Sequence, residues 1–405
     1  MPSAAGKAVS GFRHRFPAFG HRLLPFGRAA LALGCGWEIL LARLRQSTGY
    51  VTKPANAGRK SGRSTATYIG GTMTRLLLLL ISQLLLAEFA QAQIFQPAPQ
   101  RPLFDKALQC AAFSPYVGDL TPEYGPPPSR QLIDGLLDQL IEQTPFRCIM
   151  TYGVINGLGE VFASAQARHL KVIAIVWLDR DTAMNTRSIA AGIDTAKSYP
   201  DTIVALSCGS EVRTRHGNRF DGEILRCIDG LRQAGVRQPI TTIDTWWEWC
   251  DRSLNCRPTL FADKVDWIGT NIFPWWENKF SPIHACTSAE QAAAFHIARV
   301  EELRRTYPGK DVVITEFGWP NGPAGGSESN RHTGQRCGIA NPENQALVVR
   351  TTFEKLAERG WSGVVFEAFS ENWKPGSEGL FGSFWGLCQG LEPYTCQRPF
   401  APFRP

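Results

Sequence analysis

The chain has 405 residues, 43% of them hydrophobic and 11% aromatic, with 43 Lys and Arg against 36 Asp and Glu. This is globular composition with enough apolar material for a large core, which excludes a disordered tail and a small disulfide scaffold. The formal charge of +7 divides unevenly, because residues 1–75 hold 12 Lys or Arg against Glu38 alone and leave −4 on the remaining 330 residues; an acidic body lacks the dense basic surface that a nucleic-acid channel needs.

Residues 1–72 are rich in Arg, Gly, Ala and Ser without sustained periodicity. They are expected to be a basic leader of low order, outside the natural product if Met73 is the true start. Residues 73–92 have the layout of a secretory signal: Arg75, an apolar run over 76–87, then Ala90 and Ala92 at an Ala-x-Ala site, with cleavage expected after Ala92. The run is shorter than the roughly 20 residues of a spanning helix, so no stable membrane span is expected. The alternative is a signal anchor whose basic tail obeys the positive-inside rule. Either way the body is expected to be exported, to the periplasm or the medium, as a monomer.

Ten of the eleven cysteines, all but Cys35, lie in the body, an even set that fits disulfides in an oxidising compartment. Cys250 with Cys256 and Cys388 with Cys396 each enclose a short polar loop and are expected to pair, with Cys286 and Cys337 a further candidate. Cys110, Cys148 and Cys208 end apolar runs, where buried free thiols are common. No Cys-x-x-Cys and no His/Cys cluster of zinc spacing occurs in the body, so no metal site is expected.

After a Pro/Gln-rich linker at 93–106, short β-rich runs alternate with amphipathic stretches. Strands are predicted from runs beginning at 108, 147, 170, 203, 239, 265, 311 and 363, and helices over 129–143, 186–197, 222–234, 289–306 and 342–359. Eight strands roughly 36 residues apart have the spacing of βα units. They predict an α/β fold, a (β/α)8 TIM barrel over 107–388, followed by a tail at 389–405. A doubly wound sheet is the alternative, although no Gly-rich phosphate loop follows the first strand.

Carboxylates and aromatics gather where strands end: Glu211 after the fourth, Asp244, Trp246 and Trp247 after the fifth, Trp275 and Trp276 after the sixth, Glu316 and Trp319 after the seventh, Glu371 and Trp373 after the eighth. In a barrel these positions converge on one mouth. Any one carboxylate is as well explained by solvation or ion pairing as by catalysis. Two of them across a Trp-lined cleft are what glycoside cleavage needs, an acid to protonate the leaving oxygen and a carboxylate to attack the anomeric carbon, with about 5 to 5.5 Å between them for retention. Trp177 and Trp267 lie within apolar runs and read as packing.

The strings ITEFGWPNG from Ile314, SEV from Ser210, NIFPWW from Asn271, NPENQA from Asn341 and FEAFSENWKPGSEGLFG from Phe366 resemble glycoside hydrolase family 17, the β-1,3-glucanases and β-1,3-glucanosyltransferases, in its bacterial form. The resemblance runs from about Cys110 to Leu387 and implies a (β/α)8 barrel, retaining chemistry, no cofactor and a polysaccharide or oligosaccharide substrate. By position, Glu316 matches the nucleophile and Glu211 the acid/base, Glu371 and Lys374 match groups that orient the nucleophile side, and Tyr152, Asn271 and Trp319 match groups lining the cleaved subsite. Trp246, Trp247, Trp275 and Trp276 are candidate acceptor-site aromatics. One position departs: an Asn that holds the sugar 2-hydroxyl in the family is here Ser210, which reaches less far. The expected function is retaining hydrolysis of β-glucan, above all β-1,3-linked. Transfer to a glucan acceptor and a non-catalytic glycan-binding barrel are the alternatives. A third is an envelope scaffold, though open carboxylates among the aromatics do not suit a dry protein interface.

Overall fold

A period of two in the apolar runs builds the barrel. In β3 (Lys171–Val176) Ile173 and Ile175 join a cluster with Cys110, Ala112, Met150, Ala205, Ile243, Trp267 and Val313 that fills the barrel, while Val172, Ala174 and Val176 pack outward against the helices. The structure, a computed structural model, describes residues 103–104, 106–280, 286–388 and 395–396. The predicted leader and signal segment, most of the linker and most of the tail lie outside the described residues. Among the described residues no helix is long and apolar enough to cross a membrane.

Around β3 stand β1 (Gln109–Phe113), β2 (Cys148–Thr151), β4 (Ile203–Ser210), β5 (Ile240–Thr245), β6 (Ile268–Asn271) and β7 (Val312–Phe317). A two-stranded hairpin follows, β8 (Gly326–Ser329) and β9 (Arg336–Ala340), and then β10 (Gly363–Val365) returns to the barrel. β10 pairs in parallel with both β7 and β1, Cys110 lying opposite Val364, so the eight-stranded sheet is closed. Closure rules out the doubly wound alternative.

Helices cover the barrel where the sequence supplies caps. Ser129 Oγ accepts from the Leu132 amide at the start of Arg130–Gln143, and Asn341 Oδ1 accepts from the Asn344 amide ahead of Pro342–Ala357, which has Pro at its first position. Ser288 and Gln291 form a capping box before Ala289–Thr306. Asp181 caps Thr182–Ser198, which therefore begins four residues before the predicted 186. Several short elements were not predicted, among them the helices Glu160–Ala167, whose N-cap Gly159 offers no side chain, and Pro274–Phe280, and the β8–β9 hairpin.

All ten body cysteines are paired. Cys250–Cys256, Cys388–Cys396 and Cys286–Cys337 form as expected. The reading of Cys110, Cys148 and Cys208 as free core thiols is corrected: Cys110 and Cys148 sit side by side on β1 and β2 and are bonded, and Cys208 on β4 is bonded to Cys227 in the helix Asp221–Gln233.

Candidate active site

Glu211 is the first residue beyond β4, and its φ of 53° lies in the left-handed region that an L-residue rarely occupies. Several contacts impose that conformation. Gly209, at φ +82°, turns the strand end where any Cβ would strike Val212. The Glu211 amide donates to Ile243 O on β5 at 2.8 Å. From the helical turn Val212–His216, the Arg215 guanidinium reaches back to Ser210 O at 3.0 Å and Leu178 O at 2.8 Å. It also pairs with Asp179 at 3.1 Å and lies 4.4 Å over the Trp177 ring. No feature of the sequence had singled out Arg215.

Glu316 lies one residue before the end of β7 and is buried; the Tyr152 hydroxyl, just past β2, donates to its Oε1 at 2.9 Å. Asn271, at the end of β6, connects the two glutamates. It is the ladder partner of Glu316, its Nδ2 donates to Glu211 Oε1 at 3.0 Å, and its Oδ1 accepts from the Thr315 hydroxyl at 2.8 Å. With a donor on one side and an acceptor on the other, the amide has one consistent orientation.

Burial lifts the Glu211 pKa above the ordinary carboxylate value, against the Asn271 amide and the Arg215 charge, which pull it down. Burial and the Glu211 charge push Glu316 well above that value, with Tyr152 and Lys374 pulling the other way. Both shifts make the protonated form easier to hold than on an exposed carboxyl.

A third carboxylate group stands beside Glu316. Lys374 Nζ is bonded to Glu367 Oε2 and lies 2.5 Å from Glu371 Oε2, with the Phe366 ring 4.2 Å away. Glu371 Oε1 accepts from Ser114 Oγ and, at 3.0 Å, from Trp373 Nε1. One buried ammonium serves two buried carboxylates, and the ionisation follows. Burial and the neighbouring Glu371 push Glu367 well above the ordinary range despite Lys374, whereas Lys374 overcomes burial to hold Glu371 below it. Of the two, Glu367 is the one whose surroundings favour the proton. Sequence reasoning missed Glu367, because the string FEAFSENWK offers two glutamates and the resemblance selected the second. Glu378, in the turn Pro375–Glu378, belongs to the same field: burial and the charges of Glu371 and Glu211 push it up to about 7 against Lys374.

The predicted aromatics divide. Trp275 and Trp319 have no exposed surface; they meet edge to face at 5.1 Å, with Phe381 against Trp275 and Trp319 Nε1 donating to Ile339 O at 2.9 Å. Trp246 is buried between the Arg299 guanidinium, 4.5 Å over its ring, and Glu277, which accepts from its Nε1 at 3.0 Å. These three rings were expected to face sugar, and the correction is that protein covers them. Trp276, tilted against Trp385 at 5.8 Å, is half-buried, as are Trp373 and Trp247. Ser210 is buried at the end of β4 with its carbonyl held by Arg215. Asp244 does not enter the cleft; its carboxylate turns to the backbone after Glu211. Among the described residues one group has the spacing of metal ligands, Cys250, Cys256 and Glu302, and its two sulfurs are bonded to each other.

A family model for the BtgE/BtgC glycoside hydrolase domain matches residues 110–386. The chain is 25% identical over 245 residues to the "Probable beta-glucosidase btgE" of Aspergillus clavatus, covering 59% of this chain and 38% of that protein. It is 25% identical over 247 residues to a "Glucan 1,3-beta-glucosidase" of Arthroderma benhamiae, covering 59% of this chain and 72% of the other. The chain spans less than two thirds of the length of several curated relatives that it matches, the Aspergillus protein among them. In three dimensions it is similar to the crystal structure of a glycoside hydrolase family 17 β-1,3-glucanosyltransferase from Rhizomucor miehei, with a TM-score of 0.52 at 18% identity, over 70% of this chain and 93% of that one.

Proposed function

The chain belongs to the BtgE/BtgC glycoside hydrolase domain family, and from that premise we propose that it is an exported retaining glycoside hydrolase acting on β-glucan, chiefly β-1,3-linked. The observation that carries the reading is the pair of strand-end carboxyls, Glu211 and Glu316, tied through the single residue Asn271. Glu211, raised by burial, protonates the glycosidic oxygen as the bond to the anomeric carbon breaks. Glu316 attacks that carbon and forms the glycosyl-enzyme intermediate, and Glu211 then takes the proton from the incoming acceptor. Tyr152 and Lys374 favour charge on Glu316, the member that must be ionised to attack. Glu371 pairs with that ammonium at 2.5 Å. Tyr152, Asn271, Ser210 and the half-buried Trp276 are the proposed sugar contacts. Five disulfides support export, since such bonds persist in oxidising compartments. An intact mass of the exported chain starting near Gln93 tests that part.

Incubation with laminari-oligosaccharides, with product sizes resolved, tests the activity: shorter products mean hydrolysis, longer ones transfer to a glucan acceptor, and none a binding barrel. Azide then assigns the roles. Glu316→Ala should give an α-glycosyl azide and Glu211→Ala, with an activated substrate, a β-glycosyl azide; the reverse pattern overturns the assignment.

A further inference from the structure

We propose that Asp244 is the positioning residue of the acid/base, fixing where Glu211 holds its proton by clamping the first helical turn beyond it. The proposal rests on the reading of Glu211 just given and deepens it. β4 is followed by the left-handed Glu211 and then by only five helical residues, too short a helix to hold its own place. The neighbouring strand supplies the hold. Ile243 O receives the Glu211 amide at 2.8 Å, and the next residue, Asp244, accepts the Arg213 amide on Oδ2 at 2.8 Å and the Thr214 hydroxyl on Oδ1 at 2.6 Å. Its Oδ1 also takes the Thr245 amide at 2.9 Å, which fixes the carboxylate to its own strand. Two consecutive β5 residues therefore determine the backbone on both sides of the Glu211 Cα.

The surroundings are built for this one carboxylate. Asp244 is buried, with Glu211 and Arg215 facing it from the β4 side and Glu248 from its own side. Glu248 in turn pairs with Arg252 at 2.8 Å and stands 3.9 Å from Arg213, which also pairs with Asp221 and Asp251. Arg213, Asp244, Glu248 and Phe261 line a cavity of about 10 Å³. Burial pushes Asp244 up to about 6, with the Glu211 charge adding to the shift. The Glu211 charge therefore bears on Asp244, whose carboxylate holds the turn that follows Glu211.

The test separates an effect through Glu211 from a general loss. Asp244→Asn keeps an acceptor for Thr214 but sets an amide N–H against the Arg213 amide. For laminari-oligosaccharides, whose leaving sugar needs a proton, kcat/KM should fall about ten- to a hundredfold, a part of the roughly hundred- to ten-thousandfold that general acid catalysis supplies. For a 2,4-dinitrophenyl β-glucoside, whose leaving group departs without a proton, kcat/KM should change less than about threefold. The alkaline limb of the kcat/KM pH profile on oligosaccharide should also move. Equal losses on both substrates would assign Asp244 to general stability and overturn the proposal. If Asp244→Asn does not fold, Thr214→Val, which removes one of the two clamps, should show the same selectivity on a smaller scale, and its absence overturns the proposal equally. Wild-type inactivity on both substrates would instead refute the glycosidase reading.

Discussion

Replacing Lys374 by Met isolates the electrostatics of the buried triad. Lys374 Nζ lies 2.5 Å from Glu371 Oε2, and at an effective dielectric of roughly 20 that attraction is about 7 kcal/mol. Loss of the desolvation cost of the ammonium offsets part of it, so the expected destabilisation is about 3–5 kcal/mol, typical of a buried pair deprived of one partner. The pH dependence identifies the cause. In the wild type Lys374 holds Glu371 below the unfolded value of about 4.3 against burial, so its contribution to stability is present above that pH and is lost as pH falls through the folded value. In Lys374→Met the same carboxyl is buried without a cation and its folded pKa rises above 4.3. The native state then retains a proton that the unfolded chain has released, and stability falls with rising pH by up to about 1.4 kcal/mol per unit. Urea unfolding at intervals from pH 5 to 8 should therefore show a gap between the two proteins that widens with pH. A constant gap, or one that narrows, would refute the reasoning.

Three further outcomes are expected. Tyr152→Phe removes a donor to the Glu316 carboxylate, so the acid limb of the kcat/KM profile should move to higher pH by up to about one unit; no shift or a downward one contradicts the assignment of that contact. Gly338→Ala sets a Cβ 2.7 Å from Trp319 Cζ2 at a residue with φ +69° and should cost about 1–3 kcal/mol in chemical denaturation, while a neutral result would mean that the hairpin does not brace Trp319. Ser210→Asn should leave turnover on β-1,3-glucan unchanged or lower, because Ser210 is buried and a longer side chain there overpacks its surroundings; a tenfold rise, about 1.4 kcal/mol of transition-state binding, would show that a sugar contact had been missing.

The barrel was legible because each strand is a short apolar, β-branched run: six of the eight runs contain the observed strands, and β4 and β5 each reach one residue beyond theirs. The hairpin was not, since GSES and RCGIA have no apolar alternation and are held by pairing to each other. Glu211 and Glu316 stood among several strand-end carboxylates, and the resemblance singled them out. Their supports were less legible: Tyr152 and Asn271 came from the resemblance, while Arg215 and Glu367 came from neither route, because each acts through contacts remote in sequence, such as Arg215 with Leu178. The tryptophans misled for the opposite reason. A strand-end Trp looks the same in sequence whether it lines a cleft or closes a core, and only the packing of Trp275 on Trp319 distinguishes the two.

The five disulfides have an order: each body cysteine is bonded to the next one along the chain, 110 to 148, 208 to 227, 250 to 256, 286 to 337 and 388 to 396. A chain that meets an oxidant from its N-terminal end, as one threading through a membrane pore does, can close every bridge with the first cysteine to follow. No bond has to wait for a later segment, and none must be broken and remade. Such a pattern lets an indiscriminate oxidase produce the native set, leaving thiol–disulfide isomerases little to correct.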